Sequence, residues 1–149
     1  MSLIQKLTDD MKAAMKSGDH GRLETVRFAL SGLRSAEKEK QAKDPTAELT
    51  DDEAVSVLQK EAKRRKESIE LFRQGGRTDL ASKEEADLAI IAEYLPKELS
   101  RQEIAAIVEK AHVAGANDFS SLMRETMKEV KGRADGKLVG EVIKEKLGA

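Results

Sequence analysis

Side chains suited to acid–base or nucleophilic chemistry are few here, and their spacing assembles no site. The two histidines, His20 and His112, fall in different predicted subdomains, and we read both as helix-end or surface residues. Cysteine is absent, which excludes disulfides, thiolate metal sites and a cysteine nucleophile. Gly75-Gly76 lacks the following Lys-Ser/Thr that a phosphate loop needs to hold phosphate and magnesium. The carboxylate pairs Asp9-Asp10, Asp51-Asp52 and Glu84-Glu85 are expected in or near helix first turns, where they complement the helix dipole. No catalytic residue, metal ligand or cofactor is read from these positions, and a free-standing enzyme is the weakest reading.

Cations are the better signal. Lys60, Lys63, Arg64, Arg65 and Lys66 cluster inside one predicted helix. At about 100° per residue, Lys60, Lys63 and Arg64 point away from the apolar stripe of Leu58, Ala62 and Ile69. Arg65 and Lys66 flank the stripe, with stems laid along it. Glu67, four residues after Lys63, neutralises part of the charge. A second cluster, Lys131, Arg133 and Lys137, surrounds a predicted turn in which Gly132 ends one helix and Asp135 caps the next. Helix-start amides attract phosphate, but Asp135 already puts an anion there. Phosphate would therefore meet the three side chains. Both clusters are candidate RNA contacts, and both are also explicable as solvated surface.

The whole chain supplies little field to help them. Its 149 residues carry 27 basic and 28 acidic side chains, a net charge of −1, so attraction to nucleic acid must come from a local patch. With only 3% aromatic residues, the core must be mostly Leu, Ile, Val, Ala and Met. The N-terminus alternates charged and apolar residues without an apolar run for secretion or membrane spanning, and the expected setting is cytoplasmic, with no membrane partner.

Helical periodicity and its punctuation define the elements that would position these cations. Capping-box patterns occur at Ser2/Gln5, Thr50/Glu53 and Ser100/Glu103. Gly18, Asp44-Pro45, Gly75-Gly76, Pro96, Gly115 and Gly132 break the pattern between apolar stripes. Nothing alternates with period two. The expected fold is all-α: a bundle of about four helices over residues 1–95, then a small three-helix domain over 96–149, with Pro96 as the boundary.

Tyr94-Leu95-Pro96-Lys97-Glu98-Leu99-Ser100, with Lys63-Arg64-Arg65-Lys66-Glu67-Ser68 and Thr78-Asp79-Leu80 before it, resembles the YqeY proteins. The stretch from Met127-Lys128-Glu129-Val130-Lys131-Gly132 through Gly136-Lys137-Leu138-Val139 to Leu147 is similar to the tail of the B subunit of aminoacyl-tRNA amidotransferase. Together these place the chain with the GatB/YqeY family over essentially its whole length. The resemblance implies a helical bundle joined to a small helical domain. In the B subunit that tail contacts tRNA and presents it to a catalytic body, which is missing here. Three readings follow. The first is a non-catalytic module that binds tRNA or another structured RNA. The second is a protein–protein adaptor, with a partner in translation and no RNA. The third is an accessory to a carbon–nitrogen ligase with glutamine as amido donor.

Overall fold

Side-chain caps decide where these helices begin. In a computed structural model that describes residues 2–148, the Ser2 hydroxyl accepts from the Gln5 amide and opens α1 (Leu3–Ser17). The second half of the expected capping box does not form, because Gln5 donates instead to Asp9 Oδ1, one turn on, at 2.9 Å. A charge-assisted bond from the Gln5 side-chain nitrogen draws that side chain along the helix toward Asp9. Gly18, at φ 75°, ends α1 in the left-handed conformation. Asp19 then caps α2 (His20–Lys43), starting it slightly ahead of the expected Arg22 by accepting from the Arg22 amide at 3.1 Å. Asp44 stops α2 in an extended conformation, as its place before Pro45 requires.

Thr50 and Glu53 form a complete capping box at the head of α3 (Asp51–Gln74), which ends at Gly75 with Gly76 at φ 73°. Lys40 Nζ lies 2.6 Å from Glu53 Oε1 and 2.8 Å from the Glu48 carbonyl, fastening the end of α2 to the start of α3. That lysine, and then the Thr50 amide and hydroxyl, hold the Glu53 carboxyl down at about 2. The last helix of this group, α4 (Thr78–Ala92), starts after Arg77 without a side-chain cap. Its core with the other three is Leu7, Val26, Leu30, Leu33, Leu58 and Ile91, with Tyr94 at the edge. The Tyr94 hydroxyl donates to Asp10, tying the chain after α4 back to α1. Burial first, and then Asp10, push that phenol well above its ordinary value.

Backbone contacts divide the chain into a unit ending at Leu95 and one beginning at Pro96. The second contains α5 (Arg101–Val113), α6 (Phe119–Val130) and α7 (Gly136–Lys146). Ser100 and Glu103 cap α5 reciprocally, Asp118 and Ser121 do the same for α6, and Asp135 caps α7. Its core is Ile104, Val108, Leu122, Val130, Val139, Val142 and Ile143. Among the described residues the structure is all-α, with seven helices and no strand. No methionine there is fully buried; Met11, Met123 and Met127 pack at core rims and Met15 is exposed, so methionine contributes less than its hydropathy suggested. Nor, among the described residues, is any helix long and apolar enough to cross a membrane.

With so few large side chains in the second core, each worth about 1.5–3 kcal/mol when fully buried, one misplaced polar atom is felt. The Thr126 hydroxyl is fully buried and finds no hydrogen-bond partner. Thr126→Val keeps the shape and the β-branch and removes a stranded hydroxyl that costs about 1–3 kcal/mol. Urea unfolding should show this unit stabilised by about 1 kcal/mol. A loss of stability would mean that the hydroxyl is satisfied in solution. A second expectation concerns acid. Because Glu53 titrates lower folded than unfolded, its stabilising contribution is complete above the ordinary glutamate value and fades as pH falls toward 2. Lys40→Met should flatten the acid limb of a stability-versus-pH curve, and an unchanged limb would assign acid sensitivity elsewhere.

Candidate functional site

The basic run on α3 splits into two groups with different jobs. Lys60, Lys63 and Arg64 face solvent as the helical projection requires. Arg65 turns inward, its side chain only 11% exposed. Its guanidinium lies 3.1 Å from Glu61, 3.1 Å from Glu84 and 3.2 Å from Asp87. Asp87 also accepts from the Thr25 hydroxyl at 3.0 Å, so α2, α3 and α4 meet around one cation. Arg65 Nε pairs with Glu61 by charge but makes no well-formed hydrogen bond there. The ring of Phe28, 55% exposed, lies with its centroid 5.3 Å from the guanidinium carbon, a cation–π contact.

Around this network opens a cleft of about 610 Å³, with Glu24, Arg27, Arg64, Ser68 and Lys83 at its margins. Arg64 pairs with Glu61 at 2.7 Å and Lys83 with Asp87 at 3.4 Å. The three inner carboxylates are thus answered by three cations, and Arg65 holds the place between them that a bound cation would take. The arrangement stabilises charge and offers no unengaged acid–base pair.

Several sequence expectations change here. Arg65 was expected to lay its stem along the apolar stripe, yet Glu61 lies one turn behind it and draws it into the network. Glu61 pairs with both Arg64 and Arg65, so it too neutralises part of the cluster. The acidic pairs are only partly dipole complements. Asp51 and Asp52 are in the first turn of α3, but Asp9 and Asp10 sit mid-helix, bound to Gln5 and Tyr94. Glu84 and Glu85 pair with Arg65 and Arg73. His20 is exposed at the head of α2, and His112 Nδ1 lies 3.2 Å from the Ala116 carbonyl past the end of α5.

The second predicted cluster stays together around the turn between α6 and α7, with its members doing unlike things. Lys131, expected to precede the left-handed glycine, is itself left-handed at φ 47°, followed by Gly132 at 78°. Arg133 turns toward the chain ahead of α5, donating from Nε to the Lys97 carbonyl at 2.9 Å while its own carbonyl accepts from the Leu99 amide at 2.8 Å. Arg133 is therefore a brace of this unit. Lys131 and Lys137 are exposed.

A narrower groove, which sequence reading missed, lies on α2. Its volume is about 240 Å³, and Arg27, Ser31, Arg34, Ser35 and Lys38 line it. The available signal was their recurrence at helical spacing on one face.

With this geometry in view, comparison with known proteins is decisive for kinship. The family model described as "Yqey-like protein" matches residues 4–147. The chain belongs to the YqeY-like protein family. Among similar proteins, one from Pyrenophora tritici-repentis is 33% identical over 99% of this chain and 82% of its own length. One from Vanderwaltozyma polyspora is 36% identical over 72% of this chain and 57% of its own. One from Lachancea thermotolerans is 36% identical over 62% and 47%. All three carry the name "Altered inheritance of mitochondria protein 41, mitochondrial". These names overturn the cytoplasmic expectation. That expectation rested on the lack of an apolar run, but mitochondrial targeting segments are amphipathic and Arg-rich. Absent cysteine does not separate the compartments either.

The network makes a quantitative prediction. Arg65→Ala strands partly buried carboxylates and should cost about 3 kcal/mol in urea unfolding, in the range for breaking a buried pair from one side. Arg64→Ala, whose side chain is mostly exposed, should cost less than about 1 kcal/mol. Equal losses would show that the inner network is no more important than a surface pair.

Proposed function

We propose that this YqeY-like protein is a non-catalytic module that binds tRNA or another structured RNA. The observation that carries the reading is a division among its cations. Most of the arginines of the two units are committed to carboxylates, whereas Lys60, Lys63 and Lys137 stand exposed with no ion pair among the described residues. An exposed cation without a partner costs the fold little and is available to phosphate. The similarity of the C-terminal stretch to the tail of the amidotransferase B subunit supports the same reading, since that tail contacts tRNA. The names of the relatives supply the setting, and we place the activity first in mitochondria.

Phosphate contacts release counterions, so binding to total tRNA should weaken as salt rises, with a slope that counts the contacts. A near-neutral chain should make few of them, giving micromolar or weaker affinity at physiological salt, on the order of non-specific binding. Given glutamine, ATP and glutamate-charged tRNA, the protein alone should form no amide. Absence of tRNA binding even at low salt would remove the RNA reading and leave a protein–protein adaptor. Amide formation abolished by one substitution would make the protein an enzyme.

A further inference from the structure

We propose that α2 carries a phosphate-binding track formed by Arg27, Ser31, Arg34, Ser35 and Lys38, and that it takes the sugar–phosphate backbone of RNA. The inference rests on the RNA reading above and gives it a contact surface distinct from the cations already named. These five residues share one face of α2, and from Arg27 to Lys38 the face runs about 16 Å at the helical rise. Charge along the groove is of one sign, for no carboxylate lines it. That purity is unusual in a chain of 27 basic and 28 acidic residues.

The acids that could have neutralised the track are held elsewhere. Asp9 accepts from Gln5, Asp10 from Tyr94, and Glu37 from the Leu49 amide. Glu24, one turn before Arg27, lines the wider cleft, which Arg27 also borders, and does not line the groove, while Glu39 is exposed beside Lys38. Within the same helix Arg22 pairs with Glu93 at 2.8 Å and Lys40 with Glu53 at 2.6 Å. Arg27, Arg34 and Lys38 have no ion pair among the described residues. So α2 pairs the cations that fasten it to other helices and leaves its outer row open.

The chemistry of the row favours a nucleic acid over an acidic peptide. Serine hydroxyls set between arginines give the mixed donor set that phosphate oxygens accept from. Met11 and Leu30 line the same groove and give the long basic stems apolar surface to lie on. Beside Arg27, at the border of the wider cleft, the Phe28 ring packs on Arg65 and is still 55% exposed, enough surface for an unpaired base to stack.

The experiment compares the parent with R27Q/R34Q/K38Q, using a tRNA transcript titrated over a range of salt. Glutamine keeps helix propensity, and circular dichroism with a thermal melt verifies folding. At roughly 0.7–0.9 per phosphate contact, the triple change should flatten the log–log salt slope by about two to three units and weaken low-salt binding at least tenfold. Should the triple variant fold poorly, Arg34→Gln alone should lower the slope by about one unit, and R27K/R34K should keep it. Parent-like binding by the triple variant, with loss in K131Q/K137Q or K60Q/K63Q, overturns the track and leaves the RNA reading intact. Failure of the parent to bind at low salt overturns both. Polyglutamate binding as tightly as tRNA, with the same dependence on Arg27 and Arg34, overturns the track as an RNA surface.

Discussion

Arg65 sets the terms on which α2, α3 and α4 can pack. A guanidinium withdrawn from water costs several kcal/mol unless its charge is answered where it lands. Here the answer comes from Glu61 on its own helix and from Glu84 and Asp87 on α4. Those carboxylates exceed one cation, so Arg64 and Lys83 must stand at the margin of the same cleft. Thr25 brings α2 in through Asp87. An apolar trio of similar volume could hold the helices with equal strength. What charge adds is direction, because a guanidinium with two fixed acceptors and a third carboxylate paired by charge tolerates only a narrow set of helix rotations. Leu58, Ala62 and Ile69 close the core beside it without specifying that angle.

The same bookkeeping explains which cations are left to act on something outside the chain. Lys40, Arg65 and Arg101 each reach a carboxylate on another helix of their own unit, and Arg22 reaches Glu93 just past the end of α4. Arg133 spends its donor on a backbone carbonyl. Replacing Arg65 acts on packing first, whereas the more exposed pairs of Arg22, Lys40 and Arg101 each contribute little to stability. Lys60, Lys63, Lys137 and the outer arginines of α2 can vary with little effect on packing, since exposed charges far from a partner contribute almost nothing to stability. Recognition can therefore be altered in this fold separately from stability.

Sequence spacing made the helices legible because every start but that of α4 carries its own side-chain cap. Thr50 with Glu53 and Ser100 with Glu103 form complete boxes, each glutamate carboxylate accepting from the cap amide. Ser2 with Gln5 has the same pattern and completes only half of it, because Asp9 is one turn away. The motif gives the donors and acceptors; the neighbouring turn decides which of them meet. Lys131 shows another limit. Gly132 marks a left-handed helix end, yet the preceding residue is left-handed as well. Glycine's permissiveness reveals where a turn is allowed and does not fix how many residues share it.

The candidate site was less legible for a related reason. A helical projection sorts α3 into inward and outward faces, and it placed Lys60, Lys63 and Arg64 correctly. It could not send Arg65 to Glu84 and Asp87, because those acids are nineteen and twenty-two residues away and only the hairpin through Gly75-Gly76 brings them alongside. The row on α2 was hidden differently. Arg27, Arg34 and Lys38 are interleaved with Glu24, Glu37 and Glu39, so the local sequence reads as balanced. Balance along the chain becomes imbalance across the helix once Glu37 turns to the Leu49 amide, leaving a groove that no carboxylate lines. A near-zero net charge therefore says little about recognition here: it is the rotation of each acid around its helix that decides whether a polyanion meets a neutral surface or a basic one.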